Sequence, residues 1–226
     1  MKYPGGKNAG GSYQRIINQI PPHKTYIEGF LGSGAILCHK RPAEINIGIE
    51  IDPTVAQSFP TANDHQIIQG DFFEIIKTLQ IDQTAFLYLD PPYLMSARRS
   101  PRKIYRYEFL LSQHERLLSF IQNLPGRIAI SGYASSLYNE SLKNWRRIEW
   151  QAVTRGGSQA TEVLWMNYSE PVQLHDYRFL GVNRTERQQI KRKKERWVKG
   201  LENMKPIERY AILSAIEDWQ SDRKSD

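Results

Sequence analysis

The sequence is poor in cysteine, with Cys38 as the single example among 226 residues. An intramolecular disulfide is therefore excluded, and a zinc or iron–sulfur site that needs several thiolates is not expected. A lone cysteine among apolar neighbours usually behaves as a small core hydrophobe and not as a nucleophile. We accordingly predict no bound metal and a reducing compartment.

The sequence also lacks an apolar run long enough to span a bilayer, and no signal-like apolar stretch follows Met1. Internal repeats and low-complexity tracts are absent. The hydrophobic fraction of 40% and the charged fraction of 24% are typical of a globular protein. We expect one compact domain with an appendage, located in the cytoplasm and without a membrane partner.

Acidic residues are fewer than basic ones: the chain has 24 Asp and Glu and 31 Lys and Arg, which gives a net charge of +7. An excess of this size attracts polyanions over long distances, which favours a nucleic-acid partner. The alternative is that the charge serves only solubility. Charge alone does not separate these two interpretations.

Short apolar runs alternate with helical patterns, which predicts a doubly wound, Rossmann-like α/β sheet. The predicted strands are 25–28, 45–51, 66–69, 85–89, 127–131 and 162–168. The predicted helices are 34–40, 53–58, 72–80, 112–123 and 135–143. Ser112, with Glu115 three residues later, predicts a capping box at the start of one helix, and His114 in that helix is expected at the surface.

The last part of the chain differs in character from the rest. From Asn183 onward, eight Lys and Arg residues fall between positions 184 and 199, which indicates an exposed basic helix. Apolar residues from Leu201 to Trp219 then predict a final helix able to dock on the body or on a partner. We place a boundary near Ser169, which gives a catalytic domain over 1–168 and a basic helical tail over 169–226. The tail is predicted to be a DNA contact or a docking element.

A glycine-rich turn follows the first predicted strand, in the string Phe30-Leu31-Gly32-Ser33-Gly34. Glycine lets the backbone approach a ligand closely, which suits a cofactor-binding turn. The next strand delivers Glu50, at the spacing at which doubly wound folds place a carboxylate on ribose hydroxyls. A plain turn and a solvated acid are the alternatives for these two features.

Asp71 follows the third predicted strand and should lie at the carboxyl edge of the sheet, where such folds bind ligands. It could equally cap the helix that begins at Phe72. The sequence leaves both roles open.

The most informative string is Asp90-Pro91-Pro92-Tyr93, which closes the fourth predicted strand. The Asp90 carboxylate and the Pro91 carbonyl could accept both hydrogens of an aryl amine and orient its nitrogen for methyl transfer. Consecutive prolines fix the backbone and remove two competing N–H donors. Tyr93 offers a flat face on which a base could stack. A rigid turn without catalytic meaning is the alternative.

These strings give the chain a resemblance to the Dam-type family of DNA adenine methyltransferases. It covers residues 3–168 and depends on three motifs in the family order: Tyr3-Pro4-Gly5-Gly6-Lys7, the glycine turn from Phe30 to Gly34, and the string from Asp90 to Tyr93. The resemblance implies S-adenosylmethionine as cofactor and the 6-amino group of adenine in DNA as target.

By the same resemblance, Tyr3 and Lys7 contact the cofactor, with Lys7 near its carboxylate. Glu50 is implied as the acid on the ribose, Asp71 as the acid near the cofactor's adenine, and Asp90 as the head of the catalytic string. A target adenine in a duplex must be flipped out of the helix to reach Asp90.

One feature departs from the family, because the sizeable target-recognition insertion before the catalytic string is missing here. The segment after Tyr93 is the best substitute, since it mixes cations with aromatic residues. Its predicted nucleic-acid contacts are Arg98, Arg99, Arg102, Lys103 and Arg106.

Two other functions compete with this prediction. The same pocket could methylate adenine in RNA, and the basic tail suits either polymer. The chain could also be a nucleic-acid-binding module that has lost catalysis, although the complete catalytic string argues against this. The recognition sequence, the oligomeric state and any association with a restriction enzyme are left open by the sequence.

Overall fold

The computed structural model describes residues 6–8, 10–60, 65–98, 103–153 and 159–222. The chain divides into two compact units, Met1–Tyr177 and Arg178–Asp226. The first unit thus extends past the predicted boundary near Ser169. Two hydrogen bonds explain the extension: His175 N–H donates to the Ile20 carbonyl, and Arg41 N–H donates to the Asp176 carboxylate.

The first unit is built on a seven-stranded sheet of order β3-β2-β1-β4-β5-β7-β6. The strands are β1 (Thr25–Gly29), β2 (Ile45–Glu50), β3 (Gln66–Gln69), β4 (Ala85–Leu89), β5 (Arg127–Tyr133), β6 (Arg146–Val153) and β7 (Gln159–Met166). β1 to β5 pair in parallel, whereas β7 is antiparallel to both β5 and β6. The predicted doubly wound, Rossmann-like sheet is confirmed, with an antiparallel pair added at one edge.

Short helices connect the strands of this unit. They are α1 (Ser12–Ile17), α2 (Ala35–His39), α3 (Pro53–Ala56), α4 (Phe72–Ile76), α5 (Leu111–Ile121) and α6 (Ser136–Ser141), with one turn of 3-10 helix over Met95–Ala97. Asp52, Asp71 and Ser135 cap α3, α4 and α6 with their side chains. The strand order reverses between β1 and β4, and a crevice opens at the carboxyl ends of the strands at such a switch point.

The core explains why the central strands read as continuous apolar runs. Every residue of β4 is buried, and four of the five in β1 are buried. Parallel strands covered by helices on both faces lose the alternation of half-exposed strands. Beside the sheet, Phe72, Phe73 and Phe109 join one aromatic cluster, in which the Phe72 and Phe73 rings meet edge to face at 5.7 Å.

Three local predictions were wrong. α5 begins one residue before Ser112, and Leu110 N–H donates to the Gln113 side chain at its start, so Ser112 and Glu115 do not form the capping box. His114 is fully buried, and its Nδ1 is hydrogen-bonded to the Tyr138 hydroxyl at 2.9 Å. Cys38 is exposed because it lies on the outer side of the short helix α2.

The second unit consists of two helices, α7 (Arg184–Glu202) and α8 (Pro206–Asp222). Asn183 caps α7 by accepting a hydrogen bond from Glu186 N–H. Neither helix contains a buried residue, so the predicted exposed basic helix is confirmed. Within the described ranges, no helix combines the length and the apolar content needed to cross a membrane.

Candidate active site

The glycine turn after β1 bends the backbone into conformations that most side chains avoid. Phe30, Gly32 and Gly34 have φ angles of 60°, 51° and 58°. A Cβ on Gly34 would lie 2.6 Å from the Phe59 ring, so this position also needs glycine for space. Phe30 is strained by about 1 to 3 kcal/mol, and strain of this kind clusters at ligand-binding turns.

Glu50 connects this turn to the end of β2 through hydrogen bonds. Its carboxylate accepts hydrogen bonds from Gly32 N–H at 2.7 Å and from Asp52 N–H at 2.9 Å. Burial raises the pKa of Glu50, against the opposing effect of these N–H groups. A carboxylate has about four acceptor positions, so two bonds leave capacity for ligand hydroxyls.

Asp71 caps a helix and also lies beside the cavity. Its Oδ1 caps α4 by accepting a hydrogen bond from Phe73 N–H at 2.9 Å. The residue also lines the cavity next to the glycine turn. The cap is thus established, and the predicted contact with a cofactor stays a prediction.

A cavity of about 340 Å³ lies at the carboxyl ends of β1, β2 and β4. Its volume falls within the range of about 300 to 1,000 Å³ found for small-molecule sites. The glycine turn, Glu50, Asp71, Lys7 and Asp90 line it, together with apolar side chains such as Ile49. The loop of residues 104–109 forms another wall. The cavity therefore brings together most of the residues predicted to bind a cofactor.

Asp90 is held at the edge of this cavity by two side chains. Lys7 Nζ donates to both carboxylate oxygens, at 2.6 and 2.8 Å, and Ser131 Oγ donates to Oδ1 at 2.7 Å. Ser131 is in turn hydrogen-bonded to the Tyr88 hydroxyl at 2.9 Å. The Asp90 carboxylate is thereby fixed in orientation.

Lys7 lies almost entirely out of solvent, with 3% of its side chain exposed. Burial by itself lowers the pKa of Lys7, but the attraction of Asp90, supported by Glu162 and Tyr88, outweighs it and raises that pKa. The Asp90 carboxylate therefore favours the charged form of Lys7. It bridges the cavity and the catalytic string, a connection with Asp90 that the sequence did not predict.

Tyr93 differs from the open stacking face that was predicted. The residue is 8% exposed, and its ring meets the Tyr133 ring edge to face at 4.6 Å. The Lys7 ammonium lies 5.0 Å from the centre of the same ring. Pro92 lines the cavity, whereas Tyr93 and Pro91 are not among its lining residues.

Arg98 corrects the predicted nucleic-acid surface. Its Nε donates to the Tyr93 carbonyl at 2.7 Å, and its other nitrogens donate to both oxygens of Glu108 at 2.5 and 3.0 Å. The side chains of Arg98 and Glu108 are 4% and 8% exposed. These bonds hold the string from Asp90 to Tyr93 against the loop of residues 104–109. They leave the Arg98 guanidinium buried and unavailable to a phosphate.

The other cations predicted to contact nucleic acid are exposed where the structure describes them. Arg106 is exposed, and its guanidinium lies 3.5 Å from the Asp52 carboxylate at the cavity wall. Lys103 is also exposed. Tyr3, Arg99 and Arg102 lie outside the described residues.

Sequence reasoning missed two residues that shape the site. Ser131 ends a predicted strand beside β4, so the rule that ligands bind at carboxyl ends could have identified it. Glu108 gave no signal in the sequence, because its role depends on a loop that returns to Arg98. In the described part of the chain, no cluster of three or more His, Cys, Asp or Glu side chains is arranged to hold a metal ion.

Comparison with known proteins gives structural matches only. No protein-family model and no curated protein sequence matches the chain. The precorrin 8W decarboxylase of Methanobacterium thermoautotrophicum is 11% identical, with a TM-score of 0.48 over 74% of this chain and 94% of that one.

Two further structures are similar at the same level. M. capricolum TrmK in complex with S-adenosyl-homocysteine is 11% identical, with a TM-score of 0.47 over 94% of this chain and 96% of that one. A dimethyladenosine transferase from Plasmodium falciparum is 13% identical, with a TM-score of 0.44 over 68% of this chain and 59% of that one. These similarities are too distant to specify a reaction for this chain.

Proposed function

We propose that this chain transfers a methyl group from S-adenosylmethionine to the 6-amino group of adenine in DNA. The observation that carries the proposal is the position of Asp90, which Lys7 and Ser131 hold at the edge of the cavity formed by the glycine turn. The proposed cofactor site would then meet the string from Asp90 to Tyr93 at the switch point of the sheet.

The cavity has the chemistry that the cofactor requires. Glu50 has acceptor capacity for the ribose hydroxyls, while Asp71 lies on the same wall and Ile49 contributes apolar surface. Lys7 supplies a buried cation beside the cavity for the cofactor's carboxylate. When bound, S-adenosylmethionine supplies an electrophilic methyl group on its sulfonium.

The catalytic string supplies acceptors for the target amine. The Asp90 carboxylate and the Pro91 carbonyl would each accept one N–H of the amine, which orients the nitrogen lone pair away from the adenine ring. Lys7 and Ser131 prevent the Asp90 carboxylate from rotating, so this orientation is set before the base arrives. Such preorganisation reduces the reorganisation needed during the reaction.

A nucleic-acid substrate is supported by the distribution of charge. α7 contains eight Lys and Arg against three Glu, and all of its residues lie outside the core. Lys103 and Arg106 add exposed cations next to the cavity. Contacts of this kind with phosphates would offset the few kcal/mol needed to flip the adenine out of a duplex.

The test has two parts. Adenine methylation is mapped in DNA from cells that lack adenine methyltransferases and express the chain, with Asp90→Ala as the control. Purified protein is then given radiolabelled cofactor with DNA and RNA in competition at one salt concentration. The proposal predicts N6-methyladenine at defined sites and label in DNA. Label in RNA would establish the RNA alternative, and no label in either polymer would indicate a binding module.

A further inference from the structure

Glu162 on β7 is a partly buried acid for which the proposed reaction has no role so far. Its Oε2 is inaccessible to solvent and has no hydrogen-bond partner among the residues that the structure describes. Buried carboxylate oxygens are almost always hydrogen-bonded, so an exception calls for an explanation such as a ligand. The position of Glu162 in the sheet indicates which ligand this is.

Strand register places Glu162 next to the catalytic string. Glu162 lies opposite Tyr133 of β5 and Trp150 of β6, and opposite residues of antiparallel strands share one face of the sheet. Ser131 is two residues before Tyr133, so it lies on the same face. Since Ser131 donates to Asp90, the two acids occupy the same face at the same edge of the sheet.

A second polar atom without a partner lies in the same cluster. The Tyr93 hydroxyl is buried and makes no hydrogen bond of normal geometry within the described ranges, although the Ser131 side chain lies near enough to act on it. The Tyr93 ring packs against Tyr133, the residue that faces Glu162 across the strands. Tyr133 thus contacts the Tyr93 ring and lies opposite Glu162, whose Oε2 is unsatisfied, on the face of the sheet that also holds Ser131.

Burial, and not the net effect of the neighbouring charges, favours the protonated form of Glu162. Burial raises the pKa of Glu162, the Asp90 carboxylate raises it further, and Lys7 opposes both effects. Burial and the same two acids raise the pKa of the Tyr93 hydroxyl. The Tyr93 hydroxyl is an O–H donor, and a protonated Glu162 carboxyl would be a second one. A purine with a 6-amino group has an acceptor nitrogen, N1, directly beside that amine.

We propose that Glu162 and the Tyr93 hydroxyl form a second contact site for the target base, in which the Glu162 carboxyl donates a hydrogen bond to N1 of adenine. This inference rests on the proposed function and extends it from the amine to the ring. Asp90 reads the amine, and Glu162 reads the neighbouring nitrogen. Guanine and hypoxanthine carry an N–H at N1 and would meet the Glu162 O–H with a second donor.

The test uses a synthetic duplex that carries the mapped methylation site, with adenine or 1-deazaadenine at the target. The wild type should lose about 10- to 100-fold in kcat/KM on 1-deazaadenine, because the acceptor nitrogen is gone. Glu162→Ala should lose a similar factor on adenine and discriminate no further against 1-deazaadenine. Glu162→Gln retains an N–H donor and should recover most of the activity on adenine.

Controls separate this role from a structural one. A duplex with 7-deazaadenine should leave the contrast between wild type and Glu162→Ala unchanged, because N7 lies on the other side of the amine. Glu149→Gln, on the neighbouring strand and half-exposed, should behave as wild type in every arm. Cofactor affinity measured by calorimetry should be the same in all variants.

The possible results are distinct. If the wild type methylates adenine but Glu162→Ala discriminates against 1-deazaadenine as strongly as the wild type does, the Glu162 contact is refuted while the proposed function stands. Equal losses in Glu162→Gln and Glu162→Ala would also refute it. If the wild type methylates no DNA, the proposed function fails and the inference falls with it.

Discussion

Replacing Arg98 with methionine removes the guanidinium and keeps most of the apolar stem. Glu108 would then stay buried with only the N–H groups of Ile104 and Tyr105 as partners. Breaking one side of a buried ion pair typically destabilises a protein by about 3 to 5 kcal/mol. The 4% and 8% exposure of these two side chains puts Arg98→Met in that range. The Tyr93 carbonyl would also lose its donor.

Urea denaturation of Arg98→Met, Glu108→Gln and the double variant measures this pair. Each single variant should lose several kcal/mol in the free energy of unfolding. The double variant should lose less than the sum of the two, because each single change already removes the shared interaction. Lys103→Met, an exposed change in the same segment, should stay within about 0.5 kcal/mol of wild type.

The same variants test whether Arg98 serves as a structural ion pair or as a phosphate contact. If Arg98 contacted a phosphate, Arg98→Met would reduce the slope of log affinity against log salt by about 0.9 on duplex DNA and leave stability nearly unchanged. A loss below about 1 kcal/mol in Arg98→Met, together with such a reduced slope, would refute the structural ion pair.

Three other predictions follow from the site and the tail. Burial acts to raise the pKa of Glu108, but the hydrogen bonds from Arg98 and from backbone N–H groups outweigh it and lower that pKa to about 2. The free energy of unfolding should therefore fall as pH drops from about 4.5 to about 2. Glu108→Gln should remove this pH dependence in acid titrations followed by circular dichroism. Glu50→Gln should weaken cofactor binding roughly 10-fold or more in calorimetry, whereas an unchanged Kd would exclude Glu50 from the ribose site. Replacing Arg192, Lys193 and Arg196 of α7 with Gln should reduce the salt slope of DNA binding by about 2.7, and an unchanged slope would mean that α7 does not contact phosphates.

The central strands could be predicted from the sequence because β1 and β4 are buried almost throughout, which gives continuous apolar runs. β3 and β4 have the predicted bounds, and the acids at or just after strand ends, Glu50, Asp71 and Asp90, lie at one edge of the sheet. In this part of the chain, the local sequence pattern agrees with the observed strands and their order.

The antiparallel edge was harder to predict. In β6, Ile148, Trp150 and Ala152 alternate with exposed polar residues, which is the pattern of a half-exposed strand, but the prediction relied on short apolar runs. α1 is only six residues long and gives no strong periodic signal. Contacts between distant segments were also invisible in the sequence. Arg98 appeared to be a free cation because its partner Glu108 is identified only by the path of the intervening loop.

The pairing of Lys7 with Asp90 could not be predicted for the same reason, because it joins residues that are distant in the sequence. The two residues are 83 positions apart, and only the sheet brings them together. Lys7 was assigned to the cofactor by resemblance, whereas the structure also connects it to Asp90, for which we propose a catalytic role. A residue that bridges two subsites could not be recognised from either motif alone.

Methyl transfer by Asp90→Asn and Asp90→Ala, measured together with cofactor affinity, is the most direct test of the account. Asn keeps the shape of the side chain and one acceptor oxygen, which separates loss of charge from loss of packing. We predict that Asp90→Ala abolishes incorporation of labelled methyl groups into DNA, that Asp90→Asn retains a small fraction, and that both bind the cofactor with smaller losses. Turnover by Asp90→Ala at the wild-type rate would contradict the central claim that Asp90 positions the target amine.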